Sequence, residues 1–222
     1  MNTLLSVRKV CTDVMSSTST GVKFRTLIAK IRKTFRLHDI ELEIKTRLIS
    51  KLEPNEFYVN AYYDQESDSQ GDCAIEVIVY HNIKLDSTFE FTQLSQFLVQ
   101  IYDAVTHEFR HREQGRRRHW KPNLRITDES DTRGYLSDPD EIDAYSLSIA
   151  VELIRNLGKQ RSLTYLHRAS RLANIRPKGL FASPTLFHYY RIFGDLQNKV
   201  LRKLVKKVFL NLQTLDESAI FY

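Results

Sequence analysis

No stretch of this 222-residue chain approaches 18 uncharged apolar residues, which argues against a membrane-spanning helix. The opening residues, MNTLLSVRKVCTDVM, reach charged side chains after only a few apolar ones. A secretory signal needs a longer apolar run, so export by that route is not expected. Cys11 and Cys73 are the only cysteines. Two thiols cannot make a disulfide scaffold or a four-cysteine zinc site, and the expected setting is reducing and cytoplasmic. No internal repeat is present, and no low-complexity tract beyond the Ser/Thr patch MSSTSTG. Charge is also not extreme: 33 Lys and Arg against 27 Asp and Glu leave +6. That excess permits contact with nucleic acid or acidic surfaces without arguing for it.

What is present has a clear order. Residues 1–21, ending in the Ser/Thr patch, read as a flexible lead-in. Val22, Phe24, Leu27, Ile28, Ile31 and Phe35 recur at helical spacing among Lys and Arg, so 22–37 is expected to be an amphipathic helix with one core face. Ile40, Leu42 and Ile44 alternate with charged residues and suggest a strand over 40–46. EFYVNAYYD (56–64) and CAIEVIVYHN (73–82) are rich in β-branched and aromatic residues, with the turn-like ESDSQGD between them, and read as an antiparallel hairpin. After Leu85 the period becomes helical to about His119, with Leu94, Phe97, Leu98, Ile101 and Val105 as the buried stripe. A polar loop follows. Asp138-Pro139 opens a helix closed by Gly158, and further helices fit 160–174 and 184–213. Helix, a few strands, then mostly helices is an α+β order, not an alternating one.

The chemistry is concentrated inside the long helix, which carries Val105-Thr106-His107-Glu108-Phe109-Arg110-His111. Residues four apart share a helix face, so His107 and His111 can converge on one zinc ion. Glu108 lies about 100° round the helix from His107, where its carboxylate can take a proton from a metal-bound water. It continues the row Leu94, Ile101, Val105, so it sits at the rim of the core, where burial can raise its pKa toward that of a useful base. Arg112 falls on the same row, which implies that the helix is leaving the core there.

A catalytic zinc needs a third protein ligand and an open position. Glu141, in the first turn of the next helix, is the leading candidate, with Asp140 and His119 as fallbacks. Asp138-x-x-Glu141 also has the form of a capping box, which would compete for the same carboxylate. Tyr145, one turn after Glu141 and facing the same way, is the first candidate for stabilising a developing oxyanion; Tyr135, His167 and His188 are others.

HEFRH followed by YLSDPDEIDAYS resembles the zincin metallopeptidases, most closely those with a downstream glutamate ligand. The pair is similar to small predicted metallopeptidases of tailed bacteriophages, in which a Y-L-x-D-P-x-E-I-x-A segment follows the H-E-x-x-H helix. The resemblance covers about 56–157. It implies a small antiparallel sheet packed on the H-E-x-x-H helix, zinc held by His107, His111 and Glu141, and Glu108 as general base. The chain departs from the pattern at Arg110 and Arg112, which make that helix face unusually basic.

Arg116-Arg117-Arg118-His119-Trp120-Lys121 follows the motif directly. Such a run can bind phosphates and stack a base, or it can be a solvated helix end set against the C-terminal dipole. In VLRKLVKKV (200–208), packing of Leu201, Leu204, Val205 and Val208 accounts for the pattern without a membrane.

The expected organisation is therefore a lead-in over 1–21, a zincin-like catalytic core over 22–157 and a helical subdomain over 158–222. The expected activity is zinc-dependent hydrolysis of peptide bonds in a protein or peptide substrate. The alternative is a non-catalytic zincin scaffold, either a virion component bound to other phage proteins or a module docking nucleic acid through Arg116, Arg117, Arg118 and Lys121.

Overall fold

The computed structural model describes residues 3–121, 131–171 and 182–222, without the side chains of 168–171. The protein is mixed α+β with a small sheet, and packing divides it into two units: Met1–Trp120 with Phe221–Tyr222, and Lys121–Ile220.

In the first unit, α1 (Thr3–Ser16) buries Val7, Val10, Cys11 and Val14. The expected flexible lead-in is thus a helix over most of its length. These four residues have the spacing of one helix face, and their burial against α4 outweighs the weak apolar content of the segment. The Ser/Thr patch folds back on the helix end, where the Thr18 hydroxyl donates to Val14 O at 2.5 Å. A two-residue strand β1 (Val22–Lys23) precedes α2 (Phe24–Leu37), whose buried face is Phe24, Leu27, Ile28, Ile31, Thr34 and Phe35.

The main sheet contains β2 (Glu43–Leu48), β3 (Phe57–Tyr63) and β4 (Ile75–His81) in the order β2-β4-β3. β3 and β4 form the expected antiparallel pair, with Val59 opposite Val79. The connection between them is not a plain turn but a short helix, α3 (Gln65–Gln70), capped by Asp64. β2 runs parallel to β4, so the sheet is mixed and not purely antiparallel. The chain leaves β2 by a loop and enters the sheet again at the far edge through β3, which places β2 and β4 side by side in the same direction. A second, two-stranded ribbon pairs β1 with β5 (Thr88–Phe89).

Helix α4 (Phe91–Arg117) starts at a capping box between Glu90 and Gln93 and buries Leu94, Phe97, Leu98, Ile101, Tyr102 and Val105. The Phe97 ring meets those of Phe24, Phe57 and Phe89 edge-on at 6.4, 5.2 and 5.7 Å. Edge-to-face packing of this kind adds roughly 0.5–1.5 kcal/mol per pair beyond burial, and it seats α4 against β3. A second tie comes from Gln100, whose Oε1 accepts from Val59 N at 3.0 Å. The C-terminal Phe221 packs on Tyr102 of α4, with ring centroids 6.2 Å apart.

The second unit is helical: α5 (Thr132–Tyr135), α6 (Pro139–Leu157), α7 (Lys159–Arg171), α8 (Pro184–Phe193) and α9 (Lys199–Thr214), then a 3-10 turn over Glu217–Ala219. The helix expected over 184–213 is two helices. Gly194, at φ +84°, ends α8, and the Asn198 side chain starts α9 by accepting from Val200 N. α6 belongs to this unit and packs on α9, so the chain divides at Trp120/Lys121 and not after Leu157. The reason lies in α6 itself, where Ile142, Ile149, Leu153 and Ile154 are buried, while Asp143 pairs with Lys207 at 2.6 Å and Ser146 accepts from Asn211 at 2.9 Å. On α9, Leu201, Leu204, Val205 and Val208 are buried as expected. Among the described residues no helix is long and apolar enough to cross a membrane.

Candidate metal centre

His107 and His111 lie one turn apart on α4, both half-buried. Their Nε2 atoms are 3.2 Å apart and their rings are inclined at 71°. Two nitrogens on a tetrahedral zinc with bonds of about 2.0–2.1 Å are separated by about 3.3 Å, so the pair is already at the spacing one ion needs. Nδ1 of His111 lies 2.9 Å from Oε1 of Gln114. An amide oxygen can only accept, so Nδ1 carries the proton and Nε2 presents its lone pair. This second interaction, an amide one turn along the same helix, was not read from the sequence. The signal was there as His111-x-x-Gln114.

Glu141 completes the set. His107, His111 and Glu141 each offer one ligand atom, these atoms all lie within 4.8 Å of one another, and together they could hold a metal ion. Two neutral imidazoles and one carboxylate are a donor set that suits zinc and leaves a coordination position open. Asp138 caps α6 by accepting from Asp140 N at 2.7 Å, while the Asp138 N–H donates to Tyr135 O at 3.0 Å. Asp140 and His119, the fallback ligands, are not members of the cluster.

Glu108 is half-buried on α4 beside His107. Tyr145 is half-buried, its ring edge-on to Tyr135 at 6.5 Å and to Tyr189 at 5.7 Å. Burial, then the nearby Tyr145 and Glu141, hold the Tyr135 phenol far above its usual range, so it stays a donor. His167 and His188 are exposed on α7 and α8.

No family model matches the chain, and no curated protein or solved structure matches it either.

The basic end of α4 is committed to carboxylates. Asp68 of α3 is buried and accepts from Arg112 Nε at 2.8 Å, Arg116 Nη2 at 3.1 Å, Trp120 Nε1 at 2.9 Å and the Tyr63 hydroxyl at 3.1 Å. Burial alone would raise the Asp68 pKa, but the donors from Trp120, Arg116 and Arg112 outweigh it and hold the carboxyl below its ordinary value. Burial, reinforced by the Asp68 charge, pushes the Tyr63 phenol up to about 12. Arg110 pairs with Glu113 at 2.9 Å, and Arg117 with the same carboxylate at 3.5 Å. Lys121 is exposed. Residues 122–130 of the polar loop that follows α4 lie outside the described residues.

Proposed function

We propose that the protein is a zincin-like, zinc-dependent hydrolase of peptide bonds. The observation that carries this reading is the meeting of ligand atoms of His107, His111 and Glu141 within 4.8 Å of one another, the two histidines coming from a helix that also presents Glu108. The three would hold zinc through His Nε2 atoms and a carboxylate oxygen. When bound, zinc supplies Lewis-acid charge that makes water acidic near neutral pH and polarises a carbonyl.

The remaining steps belong to the chain's own side chains. Glu108 accepts a proton on its carboxylate from the attacking water and returns it to the departing amine nitrogen. Gln114 keeps the His111 ring in one tautomer and orientation. Tyr145 supplies a hydroxyl donor toward the oxyanion that develops on the substrate carbonyl. Docking on nucleic acid draws less support, because Arg112, Arg116 and Arg117 already face Asp68 and Glu113.

The test is metal content and turnover on a peptide library. Protein purified without chelator should hold about one equivalent of zinc. Glu108→Gln should keep the metal and lose turnover, and His107→Ala should lose both. Wild-type protein with no zinc, or Glu108→Gln with undiminished cleavage, overturns the reading.

A further inference from the structure

Helix α2 carries Arg25, Lys30, Arg32, Lys33 and Arg36 and no acidic residue. Phe24, Leu27, Ile28, Ile31 and Phe35 are at most 4% exposed, so the core takes up one side of the helix completely. On the other side Arg25, Arg32, Lys33 and Arg36 are exposed. Arg25, Arg32 and Arg36 stand seven and four residues apart, which puts them on one row with Lys33 beside it. At 1.5 Å per residue the row is about 17 Å long. Solvated helices lower their own repulsion by setting acids three or four positions from bases. Here Arg32 and Lys33 stand four and three positions before Arg36, and Arg25 adds to the positive end of the helix dipole.

The contacts of these cations hold them in place without cancelling their charge. Arg32 donates from Nε and Nη2 to Ile44 O at 3.1 and 2.5 Å, and Lys30 donates to Ser17 O. A carbonyl is neutral, unlike the Asp68 carboxylate that meets Arg112 and Arg116. Asp86 meets Lys23 at 3.5 Å and Arg25 at 3.8 Å, all three side chains being more than half exposed, and pairs of that kind contribute little. Lys33 and Arg36 meet no carboxylate among the described residues. The face therefore keeps its charge for a partner.

Its chemistry selects that partner. The exposed side of α2 has no aromatic ring on which an unpaired base could stack. With its other large apolar side chains buried, it has little but Leu37 to insert among lipid chains. An acidic peptide would have to be ordered on binding. A duplex is already a rigid polyanion, with one charge per about 1.7 Å of its axis. We propose that the exposed face of α2 docks the phosphate backbone of a nucleic-acid duplex without reading its sequence. This is independent of the zinc reading, and it places the contact on α2 and not on the basic end of α4.

The experiment is fluorescence anisotropy of a labelled DNA duplex of about 20 base pairs, titrated with the full chain at several salt concentrations. Four exposed cations predict a slope of log affinity against log salt of about −3 to −4. Arg25→Gln/Lys33→Gln/Arg36→Gln should flatten that slope by about three and weaken binding at least about 30-fold at about 0.1 M salt. Arg25→Lys/Arg36→Lys keeps the charge and should bind within about threefold of wild type. Arg202→Gln/Lys203→Gln/Lys206→Gln removes the same charge from exposed positions on α9 and should cost less than about fivefold. The melting temperature of each variant is recorded alongside. A wild-type slope in the α2 triple variant overturns the proposal. So does an equal loss in the α9 triple variant, since net charge and not this face then drives binding. Wild-type protein that leaves the duplex unbound at about 50 mM salt overturns it too, whether or not it binds phosphatidylserine vesicles or polyglutamate.

Discussion

Arg112 Nε donates to Asp68 Oδ1 across 2.8 Å, joining the residue after His111 to a buried carboxylate 44 positions earlier in the chain. Arg116 and Trp120 converge on the same group, so one acid from the helix between β3 and β4 gathers the last turns of the H-E-x-x-H helix. Removing it leaves two guanidinium groups without their counter-charge. Arg112 is largely covered, with 18% of its side chain exposed, and Arg116 is 52% exposed. Asp68→Asn is therefore expected to destabilise by about 3 kcal/mol, the low end for breaking a buried pair, because water partly compensates Arg116. The denaturant midpoint measures this, with exposed Glu66→Ala as the control expected within about 0.5 kcal/mol of wild type.

Acid sensitivity follows from two groups shifted in the same direction. His81 is buried in β4 beside the Phe24 ring, and burial holds its pKa below 6.5. The Ile83 N–H points at its Nδ1 from 3.2 Å, which requires that nitrogen to be unprotonated. The unfolded chain takes up this proton before the folded one does, so stability present above pH 6.5 declines as pH falls below it. Asp68 is likewise held low, so its contribution is complete above its ordinary carboxyl pKa of 3.8 and is lost as pH falls further, through its folded value. Stability measured from pH 8 to pH 3 should fall in two stages. His81→Leu should flatten the upper stage alone, and an unchanged upper slope in that variant would assign it elsewhere.

Gly115 occupies a position in α4 where any side chain meets a neighbour. A Cβ there would lie 2.6 Å from the Tyr63 hydroxyl, which itself donates to Asp68. Tyr63 cannot swing aside without giving up that bond, so Gly115→Ala is expected to destabilise by about 1–3 kcal/mol, although alanine is the better helix former. Tyr63→Phe removes the clashing oxygen. The double variant should be less destabilised than the sum of the two single variants, as a double-mutant cycle would show.

These relationships mark the limit of what patterns along the chain disclose. The stripe of α4, the β3–β4 pairing and the face of α2 were legible because each is a local period set by burial. His107, Glu108 and His111 were legible for the same reason, since helix geometry alone puts them on adjoining faces. Asp68 was not: it looked like one more polar residue in a turn, and only folding brings it to arginines more than 40 residues away. The basic run that suggested a phosphate partner is, for Arg116 and Trp120, the other half of that buried contact. The parallel placement of β2 was hidden as well, because strand direction depends on the route of the loop and not on the strand's own pattern.

Gln114 gives the most direct check on the site itself. Its side chain is buried, and its Oε1 accepts the Nδ1 proton of His111. Gln114→Leu keeps the bulk and helix propensity while removing the acceptor. Without it the imidazole can rotate and can place its proton on Nε2, where a metal would have to displace it. Zinc affinity should fall about 10–100-fold. Gln114→Glu should restore or exceed wild-type affinity, since a carboxylate accepts the same proton more strongly. Equal zinc affinity in wild type and Gln114→Leu would mean that the hydrogen bond shapes the helix surface and has no part in binding the ion.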